Sequence, residues 1–425
     1  MRTTSKLVAA ALLTAVAATT AAAQDKPAKL TILSHRVHQT VSTGTQGGDI
    51  TAGWQAANGV GVEWVTMETG PLMERMFREL SLPETSIDLA FLLNTRAVPQ
   101  AFGLLEPLDA HLAKAPIEAM DDIFPGLIEP KRYDAKLYAM PFRHASTCFH
   151  YNERILKERG VAVPTTMEEV IEAARKLTYK AADGTQVHGF VIMGDNYANI
   201  VDVARAWDGD FITLDYKLAV RGPGMTKAAQ TMRAFYEEGV LPRNWAAIKT
   251  EEVNTWLQTG RAAMTTTSCG RNRIYNDPKS SKEAGNIKTI ALPAAAELKH
   301  KFEVAPAKVE FWSIVIPKNS RHKELAWSLV KEMLSKESTL KAALNGNGPV
   351  RASTYDDPKI KAMLPYAQDE RAVLLVGRVP LPAFDNAAKA ADIFVEEMQA
   401  AVLGMKPVET ALADIERRVQ PLLPN

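Results

Sequence analysis

The polar residues that could hold a small molecule gather where two strand-like runs end. After residues 29–34 come Ser34, His35, Arg36, Val37 and His38, and after residues 87–93 come Asn94, Thr95 and Arg96. Hydroxyl, imidazole, amide and guanidinium groups supply the donors and acceptors that a hydroxyl-rich solute requires, and an indole supplies a flat apolar face. Metal chemistry is a poorer fit. His35 and His38 are three positions apart, and His144 and His150 follow later, but no cysteine pair or carboxylate cluster accompanies them. Zinc or copper needs three or four convergent ligands, so neither metal nor cofactor is expected. Asp208-Gly209-Asp210 could pair carboxylates for glycoside hydrolysis, yet Asp and Gly also favour turns for backbone reasons, and the turn is the preferred reading. The chain has no Gly-x-Ser-x-Gly elbow, Walker loop or His-Glu-x-x-His pattern. A binding function is therefore expected rather than an enzyme. Cys148 and Cys269 are too far apart for a Cys-x-x-Cys motif. They could pair in an oxidising compartment, but two buried free thiols are the preferred reading.

The elements that would position these residues alternate between strand and helix. Short β-branched runs at 29–34 and 61–67, a helix over 71–80 and a continuous apolar strand at 87–93 give a β-α-β-α-β order. That order implies a doubly wound α/β unit, and the apolar run suits a strand buried on both faces. A second series follows, with strands at 146–151, 188–193, 262–266 and 287–291 and helices at 167–177, 200–207, 226–238 and 251–258. Thr166 and Glu169 have the spacing of a capping box. A strand at 309–316 precedes a largely helical C-terminal part, broken at Pro380 and Pro382.

The N-terminus has the pattern of an export signal. Arg2 and Lys6 precede a short apolar run, and Ala21-Ala22-Ala23 offers a cleavage site, so residues 1–23 are expected to be removed. Export makes the periplasm the expected compartment. The chain has 50 basic and 49 acidic residues, and losing Arg2 and Lys6 leaves 48 against 49. A net charge near zero with no basic cluster argues against nucleic acid as a partner.

Ordered short motifs connect the chain to a family. They are Gly103-Leu104-Leu105-Glu106-Pro107-Leu108-Asp109, residues 134–141, His150-Tyr151-Asn152-Glu153, residues 164–169, Gly260-Arg261-Ala262-Ala263-Met264, Ala326-Trp327 and Gly348-Pro349-Val350-Arg351. In this order and spacing the chain resembles the family 1 extracellular solute-binding proteins of ABC importers, the group containing maltose- and other sugar-binding proteins. Two departures fall near where members of that family bind ligand: Met167 stands where they carry Trp, and residues 265–271 replace a Gly-x-Trp segment.

The resemblance implies a two-lobed periplasmic-binding-protein fold of type II character, each lobe a doubly wound sheet flanked by helices, with a ligand cleft at the hinge. One lobe would take residues 26–141 and 312–350, and the other 146–308 and 351–425. It also implies that Arg143 lies where the chain first crosses between lobes, that Trp312 lies beside the returning strand, and that Arg271 and Phe384 face the cleft. With Ser34, His35, Arg36, His38 and Asn94 these are the expected ligand-binding residues. The implied function is capture of a sugar or polyol by hinge closure and delivery, as a monomer, to an inner-membrane permease. Arg36, Arg143 and Arg271 motivate an alternative anionic ligand, a sugar acid or phosphorylated polyol.

Overall fold

A computed structural model of the protein describes residues 26–424; the expected export signal, residues 1–23, lies outside them. Seven strands form one mixed sheet: β1 (Lys29–His35), β2 (Gly61–Met67), β3 (Leu89–Leu93), β4 (Met140–Asn152), β5 (Met264–Ser268), β6 (Ile287–Ile290) and β7 (Val309–Val315). β1 lies between β2 and β3 and is parallel to both. All five residues of β3 are buried, which explains why its sequence is apolar without alternation. Helix Thr69–Leu80 connects β2 to β3 and turns Leu72, Met73, Met76 and Leu80 inward, the spacing of one helical face.

β4 joins the two halves of the sheet. Its first part, through Ser146, pairs antiparallel with β7, and its second part, from Thr147, pairs antiparallel with β5 and β6. β7 in turn pairs antiparallel with β3. A register shift between Trp312 and Ser313 kinks this ladder where the chain crosses. Beyond it, helices Tyr197–Arg205, Pro223–Glu237, Ala387–Val402 and Val408–Val419 pack on one another.

Two expectations need correction. Residues 188–193 form no strand; only His188 and Val191 make isolated parallel bridges, to Ala262 and Thr265. A Cβ on Gly189 would meet the Ala174 carbonyl oxygen at 1.8 Å, so here the chain lies against a helix backbone rather than in a ladder. The cysteines are not free thiols: Cys148 and Cys269 form a disulfide. Antiparallel pairing sets Cys148 opposite Thr267, which brings Cys269 beside it with a Cα–Cα distance of 4.8 Å. The capping box is present, with Thr166 Oγ1 accepting from the Glu169 amide at 3.2 Å and Glu169 Oε2 accepting from the Thr166 amide.

Candidate functional site

At the carboxyl end of β3 the chain makes a 3-10 turn, Asn94–Arg96. In α/β sheets this edge is where ligands bind. Facing it is residues 379–386, the Pro-broken segment ahead of helix Ala387–Val402. Between them lies a chamber of about 450 Å³ lined by Thr95, Arg96, Tyr197, Glu310, Phe384 and Asp385 among others. A second chamber of about 240 Å³ shares Leu381 and Pro382 with the first and adds Asn94, Phe102, Tyr133 and Tyr216. Its aromatic wall is ordered: Phe102 and Tyr133 stack at 5.4 Å, and the Tyr216 hydroxyl donates to the Ala383 carbonyl at 3.2 Å. Across the mouth, Gln100 Nε2 donates to Asp385 Oδ2 at 3.0 Å.

A buried ion network holds the facing segment. Arg205 is 1% exposed, reaches Asp210 Oδ1 at 3.1 Å and donates to the carbonyls of Arg378 and Val379. Arg378 pairs with Asp208 and Asp210. Asp208-Gly209-Asp210 is thus a turn whose carboxylates are already engaged. Asp208 has φ 57°, and a Cβ on Gly209 would meet the Met225 amide nitrogen at 2.7 Å.

Glu310 sits on the floor, on β7. Its carboxylate has no hydrogen-bond or ion-pair partner among the described residues. Strand alternation puts Trp312 on the same face as Glu310, and Arg143 is directly opposite Trp312. The Arg143 guanidinium is largely buried, with Nε unpartnered. Burial lowers its pKa, opposed by Glu310 and Glu370. Tyr197 reaches the chamber from the first turn of its helix, where Asn196 Oδ1 accepts the Ala198 amide as a cap. Burial first, then the charge on Glu310, pushes its phenol pKa up.

The expected residues separate into three groups. Phe384 lines the first chamber and Asn94 the second; Asn94 Oδ1 accepts the Phe311 amide at 3.0 Å and its Nδ2 has no partner. His35, His38 and Trp312 are in mutual ring contact with Arg143 opposite Trp312 on β4, and none of the four lines either chamber. His38 is fully buried, stacked on Phe91 at 4.0 Å and edge-on to Trp312 at 4.9 Å. Burial, then the charges of Arg143 and His35, hold its imidazole well below the usual histidine range. His35 caps helix Arg36–Ser42 by accepting the Val37 amide at Nδ1, and it meets Glu68 at 3.2 Å. Ser34 is buried and donates to the His35 carbonyl, Arg36 is exposed on that helix, and Arg271 ends a 3-10 turn after β5; neither chamber includes these three. Thr95 and Arg96 belong to the polar turn read from the sequence after β3, whereas Glu310 and Tyr197 were not among the expected residues. A helix start placed at 200 hid Tyr197, although Asn196 followed by Tyr197 and Ala198 carries an N-cap signal. No group of three or more His, Cys, Asp or Glu among the described residues could hold a metal ion.

A family model described as bacterial extracellular solute-binding protein matches residues 50–365. The chain belongs to this family. It is therefore a solute-binding protein that works outside the cytoplasm, not an enzyme. A probable amino-acid ABC transporter periplasmic-binding protein of Sinorhizobium fredii is 24% identical, with 95% of this chain and 93% of the relative covered. A mannitol-binding protein of Pseudomonas aeruginosa is 21% identical over 73% of this chain and 71% of its own. Among solved structures, an ABC transporter solute-binding protein of Agrobacterium radiobacter in complex with ribitol superposes with a TM-score of 0.70 at 21% identity, covering 93% of this chain and 100% of that one. The fold of this solute-binding protein is thus the two-lobed α/β architecture with its cleft at the crossing strands. Among the described residues no helix is long and apolar enough to cross a membrane.

Proposed function

We propose that the chain is the periplasmic receptor of an ABC importer and that it captures a polyol or neutral sugar in the chamber around Glu310. One observation carries this reading. The chamber is lined from one side by Thr95 and Arg96, from the other by Tyr197, Phe384 and Asp385, and on its floor by Glu310 of β7. A solute touching all three holds the two sides together, so its binding shifts the population toward closure. Lobes of residues 26–141 with 312–350 and of residues 146–308 with 351–425 would move about the β4–β7 crossing, and a permease would read the closed form of the monomer.

Charge favours a neutral ligand over an anion. Arg96 has no ion-pair partner among the described residues, but the unpaired Glu310 carboxylate shares its chamber and would repel an acid. Hydroxyls suit both groups, donating to Glu310 and accepting from Arg96. The mannitol-binding relative and the ribitol complex support the same class. Micromolar affinity, about −8 kcal/mol, is within reach of a few charge-assisted hydrogen bonds and ring contacts.

Calorimetry with ribitol, D-mannitol, hexoses and matched sugar acids tests the reading. Binding of a neutral member with little binding of acids is expected; binding of acids alone would overturn it.

A further inference from the structure

A second cavity lies away from the cleft, at the edge of the sheet formed by β6. It measures about 440 Å³, and its walls include Tyr151, Asn272, Tyr366, Asp369, Glu153 and Lys288. Tyr151 and Tyr366 are 7% and 6% exposed, both line this cavity, and neither hydroxyl has a hydrogen-bond partner among the described residues. The rings are buried while both hydroxyls open onto the cavity, so each is available to a guest molecule.

The other polar groups set the sign of what would fit. Asn272 uses its amide NH₂ on Thr289 Oγ1 and the Ile287 carbonyl, which leaves its Oδ1 as an acceptor. Asp369 accepts the Ala291 amide through Oδ1 at 3.0 Å, and no basic side chain pairs with it among the described residues. Lys288 is engaged by the Gly285 carbonyl at 3.0 Å and by Glu153 at 3.7 Å. The free capacity of the cavity is therefore mostly acceptor and net negative, beside two phenol rings. A group with several N–H donors and a positive charge satisfies all of these features, with ring faces adding attraction.

We propose that this cavity is a second binding site, separate from the cleft, for a small organic cation bearing a primary ammonium or guanidinium group. Asp369 supplies the counter-charge, Asn272 Oδ1 and the two tyrosine hydroxyls accept its N–H groups, and the tyrosine rings cover its alkyl part. Partial burial already pushes the Asp369 pKa up, and a bound cation would reverse that trend. The site does not depend on which solute occupies the cleft.

Equilibrium dialysis of the full chain with agmatine and putrescine, with D-mannitol as the neutral probe, tests the proposal. Wild type should bind one equivalent of agmatine whether or not the cleft is saturated. Asp369→Asn, which keeps an acceptor for the Ala291 amide, should weaken agmatine at least tenfold. Tyr366→Phe, which keeps the ring, should weaken it several-fold, and Glu310→Gln in the cleft should leave it unchanged. Circular dichroism verifies that each variant is folded. No cation binding by wild type, full binding by Asp369→Asn, or equal loss in Glu310→Gln would overturn the assignment.

Discussion

Lys131 offers the sharpest test of the energetics around the cleft. Its side chain is 0% exposed, Nζ has no hydrogen-bond partner, and the amine sits 4.7 Å from the centre of the Phe311 ring. Burial alone pushes its pKa from 10.5 down to about 7. At about 1.4 kcal/mol per unit this is a penalty of about 5 kcal/mol for the charged amine, against which contact with Phe311 returns about 1–2 kcal/mol. The sign follows from proton counting. Between pH 7 and 10.5 the unfolded chain holds this proton and the folded chain releases it, so stability rises with pH across that window. Below pH 7 both states are protonated and the whole penalty stands. Lys131→Met keeps the length and removes the charge. It should stabilise the protein by about 3 kcal/mol at pH 6 and by about 1 kcal/mol or less at pH 9.5. Urea unfolding followed by tryptophan fluorescence at the two pH values measures the difference. A variant less stable than wild type at pH 6, or a gain independent of pH, would refute a buried, unpaired amine.

Three further outcomes are expected. Tyr197→Phe and Glu310→Gln should each weaken the cleft ligand, the first by about 1 kcal/mol and the second by about 2 kcal/mol, without lowering the unfolding midpoint; isothermal titration separates the two effects. Replacing Cys148 and Cys269 together by Ala should cost about 2–5 kcal/mol, because the bond closes a loop across 121 residues, and reductant should bring wild type to the same midpoint in denaturant. Gln100→Ala removes an exposed hydrogen bond across the cleft mouth, so it should raise the open population in small-angle scattering and weaken ligand only a few-fold.

The motifs that identified the family turn out to be mostly structural. Asp109 accepts the Leu137 amide at 3.0 Å, the Tyr138 amide donates to the Lys131 carbonyl, and buried Arg351 donates to the carbonyls of Leu334, Ala119 and Glu118. Such residues bind the chain to itself, which is why they mark the fold well and the ligand poorly. Most elements were legible for a related reason. The apolar run of β3 and the capped helix Met167–Lys176 are local patterns, and local patterns are written in adjacent residues. His38 was legible only as a polar residue after a strand; its burial between Phe91 and Trp312 depends on partners far away in sequence.

The residue order by itself determined the α/β class, the place of the polar turn after β3 and membership in a binding-protein family, because periodicity, capping and motif order survive without long-range contacts. Tertiary structure alone decided that Cys148 meets Cys269, that Arg143 lies opposite Trp312, and that Glu310 and Tyr197 share a chamber with Arg96. These meetings depend on how β4 pairs with β7 and β5 and on where the helix and turns beside those strands come to lie. A shift of one residue in the β4–β7 register would send strand side chains such as Glu310 and Trp312 to the other face.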